Sequence, residues 1–489
     1  MDGPAPKDPS SVSSAERPQA PADLPRTLGD LRESGWVSVT VAEEMRHNTQ
    51  ALIASGGPLV PGVLGFEDTV VPQLENAILA GHDIILLGER GQAKTRVIRS
   101  LVGLLDEWMP VVAGSEINDD PYHPVSRGAR DTVAERGDDT PITWVHRSDR
   151  YGEKLATPDT SIADLIGEVD PIKIAEGRYL GDELALHYGL IPRVNRGIFA
   201  INELPDLSER IQVGLLNVLE ERDVQIRGHR IRLPLDVALV ATANPEDYTN
   251  RGRIITPLKD RFGAQIRTHY PFDTMTEVKI MEAEAELPTT GVAVTVPAYL
   301  KEVVAEVSQL ARRSTHLNQR SGVSVRLSIA NYETLVANSV RRALRTGEPV
   351  AVPRISDLSS LVPSTQGKIE VEAMEEGHED EVVAQLVAAA TLAVFRRRVT
   401  LDNPGEIVGA FTEQVVVHAG DDLPSAAYLA VLADIPELEP PTRALAGPDA
   451  NESPALMASA LEFLLEGLHL TKRLNKDASG ARALYRGRK

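Results

Sequence analysis

The stretch HDIILLGERGQAKTRVIRSLVGLLDEW (82–108) constrains this chain more than any other. HDIILL (82–87) is a short β-branched apolar run, as expected of a buried parallel strand. It runs into GERGQAKT (88–95) and then into KTRVIRSLVGLLDEW, where Val97, Leu101 and Leu105 recur every four residues, as do Ile98 and Val102. That spacing predicts a helix with one core-facing stripe. Strand, glycine loop and helix in this order are the setting in which a Gly-x-x-x-x-Gly-Lys-Ser/Thr motif has a mechanism.

Gly88, Glu89, Arg90, Gly91, Gln92, Ala93, Lys94 and Thr95 are therefore the candidate phosphate cradle. Successive backbone N–H groups and the helix N-terminus would surround the phosphates. Lys94 would reach the β- and γ-phosphates as a point charge, and Thr95 would place its hydroxyl on Mg2+. Ala93 stands where the usual pattern has its last glycine. A methyl group there costs little on near-helical backbone and is strained at positive φ. The expectation is that nucleotide binding survives it.

A site that hydrolyses ATP also needs acidic chemistry at a second strand end. GIFAINELPDL (197–207) supplies an apolar strand that ends in Asn202-Glu203, where the common pattern is Asp-Glu. Glu203 keeps a carboxylate able to polarise an attacking water. Asn202 keeps a carbonyl oxygen for the metal's water shell and loses a charge. A third strand, DVALVATANPEDY (236–248), ends at Asn244, a polar side chain able to orient that water. TPLKDRFGAQI (256–266) follows with Arg261, and QRSGVSVRLSIANYE (319–333) opens a helix with Arg326.

In this order the blocks resemble the AAA+ ATPases of the magnesium chelatase ATPase-subunit and MoxR group. The resemblance is carried by GLIPRVNRGIFAINELPDL (189–207), by NPEDYTNRGRIITPLKDRFG (244–263), and by DTSIADLIGEVDPIKIAEGRYL (159–180), which is similar to that group's helix-two insertion. It covers about 65–345. It implies an α/β fold: a P-loop NTPase αβα core with a parallel sheet, then a helical lid and a helical C-terminal extension. It implies ATP and Mg2+ as cofactors, with Thr95 and Asn202 on the metal side. It gives Glu203 the catalytic glutamate's place, Asn244 that of sensor 1, and Arg326 that of the sensor 2 arginine. Arg261 takes the place of the finger that reaches a neighbouring subunit's ATP, with Arg251 and Arg253 as rivals. A trans arginine works only across a subunit interface, so the resemblance implies a homo-oligomeric ring, a hexamer. It further implies an ATP-driven motor that remodels or activates a client together with a von Willebrand factor A domain partner. Two alternatives stay open: an ATPase subunit driving metal insertion into a porphyrin, and a nucleotide-binding scaffold with little hydrolysis, which Ala93 and Asn202 favour.

The expected organisation is a disordered tail (1–26), a helical lead-in (27–64), the nucleotide-binding domain (65–290), a helical lid (291–400) and a helical extension (401–489). Residues 113–158 read as a polar insertion that projects from the core. VQIRGHRIRLP (224–234) reads as a hairpin turning at Gly228. In the extension, Leu461, Leu464, Leu465 and Leu468 form a buried stripe. GAFT (409–412) echoes the loop by which ring-shaped transcription activators engage a sigma factor, but that loop lies between the two nucleotide motifs in those proteins and is discounted here.

Composition bounds the remaining choices. The net charge of −20 is the opposite of a nucleic-acid binder's balance. The segment 471–489 runs against this, with seven basic residues and one acid, and reads as a solvated, frayed terminus. There is no cysteine, which removes disulfides and thiolate chemistry. No apolar run approaches the roughly 18 residues of a membrane span, and the first residues lack a signal peptide's apolar stretch. The expectation is a cytoplasmic protein.

Overall fold

The structure, a computed structural model, describes residues 18–175, 183–220, 223–225, 232–244, 253–289, 291–318, 322–371, 377–401, 404–411, 415–448, 453–479 and 482–488. Its contacts divide the chain into two units. The first runs to Gly62 and then takes in Asp68–Gly88 and Lys94–Arg267; the second holds Val63–Glu67, Glu89–Ala93 and Thr268–Lys489.

The first unit is built on five parallel strands: β1 (Ile84–Leu87), β2 (Tyr151–Leu155), β3 (Gly197–Asn202), β4 (Val237–Ala243) and β5 (Ala264–Arg267). Their order across the sheet is β5-β1-β4-β3-β2. All residues of β1 and β3 are buried, which is why these strands read as continuous apolar runs. In an open parallel sheet, ligands bind beyond the carboxyl ends of the strands. Register brings those ends level: Leu87 lies beside Ala243, Ala241 beside Ile201, and Leu155 beside Asn202.

Two expectations are corrected in this unit. Residues 113–158 are not a projecting insertion. They contain the helix Arg127–Arg136, capped by Ser126, the strand Ile142–His146 paired antiparallel to Trp108–Val112, and β2 itself, the edge of the central sheet. Two acids of this segment, Asp119 and Asp120, are buried rather than solvated. Asp119 is fully buried and accepts from the amides of Val125 (2.6 Å) and Ser126 (2.7 Å). The strand β2 is only half-buried and alternates weakly, so its apolar signal is faint. Residues 18–26 are also ordered: Pro25 O accepts from the Trp144 indole at 2.8 Å, and Arg26 O from the Ile142 amide at 2.9 Å. Residues 1–17 lie outside the described residues.

The lead-in contains the helices Leu28–Glu33 and Val41–Ser55, both opened by capping boxes, at Thr27 and Thr40. The second helix is tied to the sheet by a buried ion pair. Arg150, 1% exposed, donates to both oxygens of Glu44 at 2.7 and 2.5 Å. Asp223–Gln225 pairs antiparallel with Arg232–Pro234, as the hairpin reading requires, while Gly228 lies outside the described residues.

In the second unit one apolar core runs from Val278 to Tyr485. It gathers the helices Thr274–Glu284, Ala298–Ala311, Arg326–Thr346, Glu379–Arg398 and Pro454–Leu470. The expected divisions at 290 and 400 are therefore both corrected. Val278 and Met281 face this core, so the chain divides at Arg267, and the lid and the extension share one interior. Leu461, Leu464, Leu465 and Leu468 are fully buried as expected.

The basic C-terminal segment is not frayed either. Leu474–Ser479 and Arg482–Gly487 form an antiparallel pair, and Val416–Gly420 adds to the outer side of the latter. Leu474 and Tyr485 enter the core from these strands. Three of its seven basic residues form ion pairs: Lys476 with Glu466, Arg482 with Asp422, and Arg486 with Asp477. Among the described residues no helix is long and apolar enough to cross a membrane.

Candidate nucleotide-binding site

The loop after β1 begins with Gly88, whose amide donates to Ala243 O at 3.1 Å and so fixes the loop to the end of β4. Lys94 opens the helix Lys94–Ser100, is buried, and turns its ammonium back to the Gly88 carbonyl. Thr95 follows in the first turn and is half-buried.

The loop tip, Glu89–Ala93, belongs with the second unit. Tyr270 OH donates to Arg90 O at 2.8 Å, and Thr268 Oγ1 to the buried Gln92 side chain at 2.7 Å. Gly91 has φ +73°, and a β-carbon there would come within 1.8 Å of the Ser324 hydroxyl, so this glycine is required twice over. Gly322, at φ +65°, is equally confined: a β-carbon would meet the Glu89 carboxylate at 2.6 Å.

Ala93 has φ +54°. It thus occupies the left-handed conformation that its missing glycine would take freely, and the strained of its two possible backbones is the one realised. An L-residue pays roughly 1–2 kcal/mol for that conformation.

At the end of β3, Glu203 is also left-handed (φ 55°, ψ 50°), and its amide donates to Thr242 Oγ1 at 2.9 Å. Asn202 is buried between β2 and β4. Its Nδ2 donates to Glu153 Oε1 at 2.5 Å, and its Oδ1 lies 3.4 Å from Thr242 Oγ1. Glu153 also accepts from Arg99 (2.8 and 3.2 Å) and from Tyr151 OH (2.9 Å). Burial of this carboxyl opposes its ionisation, yet the hydrogen bonds from Arg99, Tyr151 and Asn202 hold it below the usual carboxylate range. Sequence reasoning missed Glu153, Arg99 and Thr242, because no motif spacing links them to Asn202; only the strand order does.

Asn244 lies at the end of β4, 6% exposed, and its Oδ1 is buried with no hydrogen-bond partner among the described residues. A buried acceptor left open this way costs about 1–3 kcal/mol unless a ligand or water meets it. This is where a group donating to the strand ends fits. The hydroxyl of Thr95 and the amide oxygen of Asn202 are hard oxygen donors of the kind Mg2+ takes, mainly through its waters.

Thr95, Lys94, Asn202, Glu203 and Asn244 all belong to the first unit, on the loop and strand ends that register brings level. Arg261 ends the helix Thr256–Arg261, and its guanidinium donates to Pro257 O at 2.9 Å. Arg253 is exposed and pairs loosely with Glu209 at 3.9 Å, while Arg251 lies outside the described residues. Arg326, in the second unit, is exposed at the start of the helix Arg326–Thr346. Among the described residues no three His, Asp or Glu gather as a metal cluster.

The glycine loop between β1 and the helix Lys94–Ser100, on a five-stranded parallel sheet, has the form of an α/β P-loop nucleotide-binding core. The curated relatives that the chain is similar to are subunits of magnesium chelatase. Residues 173–261 match the model of the Sigma-54 interaction domain, a stretch that excludes GAFT at 409–412. The chain is 29% identical over 210 residues to the magnesium-chelatase 38 kDa subunit of Cereibacter sphaeroides, covering 40% of this chain and 54% of that one. It is 28% identical over 261 residues to the magnesium-chelatase subunit ChlI of Nostoc sp., covering 51% and 63%. With the chloroplastic subunit ChlI-1 of Arabidopsis thaliana the identity is 31% over 217 residues, covering 41% and 45%. The chain thus spans about half the length of the curated relatives it matches. Among solved structures, a complex of subunits BchI and BchD of magnesium chelatase aligns with a TM-score of 0.34 at 20% identity, covering 65% of this chain and 97% of that one. A putative ATPase from Cytophaga hutchinsonii aligns with 0.31 at 15%, covering 73% and 97%.

Proposed function

We propose that this chain binds Mg-ATP on the loop after β1 and hydrolyses it, within a homo-oligomeric ring, to remodel or activate a client protein. The observation that carries the reading is what the level strand ends bring together: a buried Lys94, Glu203 at the end of β3, and a buried Asn244 oxygen with no hydrogen-bond partner among the described residues. Lys94 would hold the phosphates by charge, and Thr95 with Asn202 would hold the metal, which supplies charge neutralisation to the phosphates when bound. Glu203 takes a proton from the attacking water, and Asn244 Oδ1 accepts the water's second hydrogen and so orients it. The resemblance gives Arg326 the sensor 2 arginine's place and Arg261 that of the finger to a neighbour's ATP across the ring. A von Willebrand factor A domain partner follows from the resemblance.

A scaffold that binds nucleotide and barely turns it over is the second reading. The left-handed Ala93 and the uncharged Asn202 favour it. A part in metal chelation, which the relatives' names carry, is the third.

The test is Mg2+-dependent phosphate release over a protein concentration series, with Glu203→Gln alongside. The motor reading predicts release that rises with assembly and disappears in the variant. ATP bound without release, unchanged by Glu203→Gln, would replace it with the scaffold.

A further inference from the structure

Asn202 is neutral at the strand end where a carboxylate is the commoner choice, and a carboxylate stands beside it on the next strand. Parallel pairing sets Glu153 opposite Ala200 and Leu155 opposite Asn202, so Glu153 and Asn202 point to the same face of the sheet. The two side chains meet at 2.5 Å, Nδ2 to Oε1. Arg99, one turn along the helix that Lys94 opens, grips the same carboxylate with two N–H groups, and Tyr151 adds a third donor.

An asparagine amide has ends of opposite kind, a double donor and an acceptor. A carboxylate only accepts, so Glu153 decides which end of Asn202 faces it. The amide oxygen is thereby turned the other way, toward Thr242, whose hydroxyl oxygen in turn receives the amide of Glu203. Arg99, Glu153, Asn202, Thr242 and Glu203 form one hydrogen-bonded chain from the P-loop helix to the proposed base. The geometry points to Glu153 as the positioning carboxylate of this site: it sets the Asn202 amide with its oxygen toward the end of β3, and it returns to that strand end the negative charge Asn202 lacks. The assignment rests on the nucleotide reading above. Outer partners that orient metal-supporting groups commonly govern metal affinity in this way.

A counterintuitive consequence separates this from a plain Arg99–Glu153 ion pair. Asn202→Asp restores the commoner residue, yet it would set two acceptor-only carboxylates at hydrogen-bond distance. It should therefore damage the site. Glu153→Gln should rescue it, because the glutamine amide donates to Asp where Asn202 formerly donated to Glu153. A plain ion pair with Arg99, whose side chain is 63% exposed, predicts independent effects at the two positions.

The experiment uses the full chain as parent, Asn202→Asp, Glu153→Gln and the double variant. One readout is the melting temperature without nucleotide; the other is the magnesium concentration at half-maximal binding of a fluorescent ATP analogue. Asn202→Asp should melt lower by roughly 3 °C or more, and the double variant should recover the parent value. The magnesium midpoint should rise about tenfold in Glu153→Gln and return in the double variant. Additive effects, an Asn202→Asp protein as stable as the parent, or an unmoved midpoint in Glu153→Gln would each overturn the assignment. Coupled melting in a parent that binds no analogue at any magnesium concentration would instead overturn the nucleotide reading and reduce the pairing to a structural contact.

Discussion

Replacing Ala93 by glycine should stabilise this protein, although it removes a methyl group and loosens the unfolded chain. Ala93 holds φ +54°, where an L-side chain costs roughly 1–2 kcal/mol and glycine costs nothing. Against that gain, glycine's extra freedom in the unfolded state costs about 0.5–1 kcal/mol. The net is a gain of about 1 kcal/mol, or roughly 2–4 °C in melting temperature for a unit of this size. The same reasoning separates two behaviours of the loop. If the nucleotide-free protein already keeps Ala93 left-handed, strain is present in both free and bound states, and ATP affinity should stay within about twofold of the parent. If the free loop relaxes the strain, Ala93→Gly should tighten binding by about five- to thirtyfold, the equivalent of 1–2 kcal/mol. Ala93→Val, β-branched, should go the other way on stability. Thermal melting with and without ATP reads both quantities. An Ala93→Gly protein less stable than the parent by about 1 kcal/mol or more would refute the left-handed assignment at residue 93.

Removing Arg150 by Arg150→Ala should cost about 3–5 kcal/mol by chemical denaturation, since it strands the buried Glu44 carboxylate; a loss below about 1 kcal/mol would show that water reaches the pair. Tyr485→Ala should cost about 3–5 kcal/mol by the same assay, because its ring sits 1% exposed in the second unit's core; a neutral effect would restore the frayed-tail reading. Burial pushes the Glu462 carboxyl upward, against Arg354 and the hydrogen bonds from Tyr428 and Ser356. An acid whose folded value is raised contributes stability below its unfolded value and loses it as pH climbs through the folded one. Relative to Glu462→Gln, the parent should therefore lose stability as pH rises above about 4.5; a constant difference between the two proteins across that range would contradict this.

The central sheet was legible where strands are buried on both faces: β1, β3 and β4 each announce themselves as apolar runs. The half-buried edge strand β2 did not, because Gly152 has no side chain and Glu153 turns to Arg99, Tyr151 and Asn202 rather than to a core. That omission hid Glu153, and with it the partner of Asn202. Ala93 was legible as a question and not as an answer: its identity flags the position, but only the backbone shows which of the two conformations the loop takes. The C-terminal strands were hidden by charge. Lys476, Arg482 and Arg486 read as a solvated run because their acidic partners Glu466, Asp422 and Asp477 are supplied by other elements or by the paired strand. Polar order of this kind leaves no apolar period to detect.

The most direct test of the nucleotide site is equilibrium ATP binding, with Mg2+, by the parent, Lys94→Ala and Glu203→Gln. A working P-loop with a separate hydrolytic glutamate predicts binding by the parent, its loss in Lys94→Ala, and its retention in Glu203→Gln. Equal binding by the parent and Lys94→Ala, or none by the parent, would contradict it.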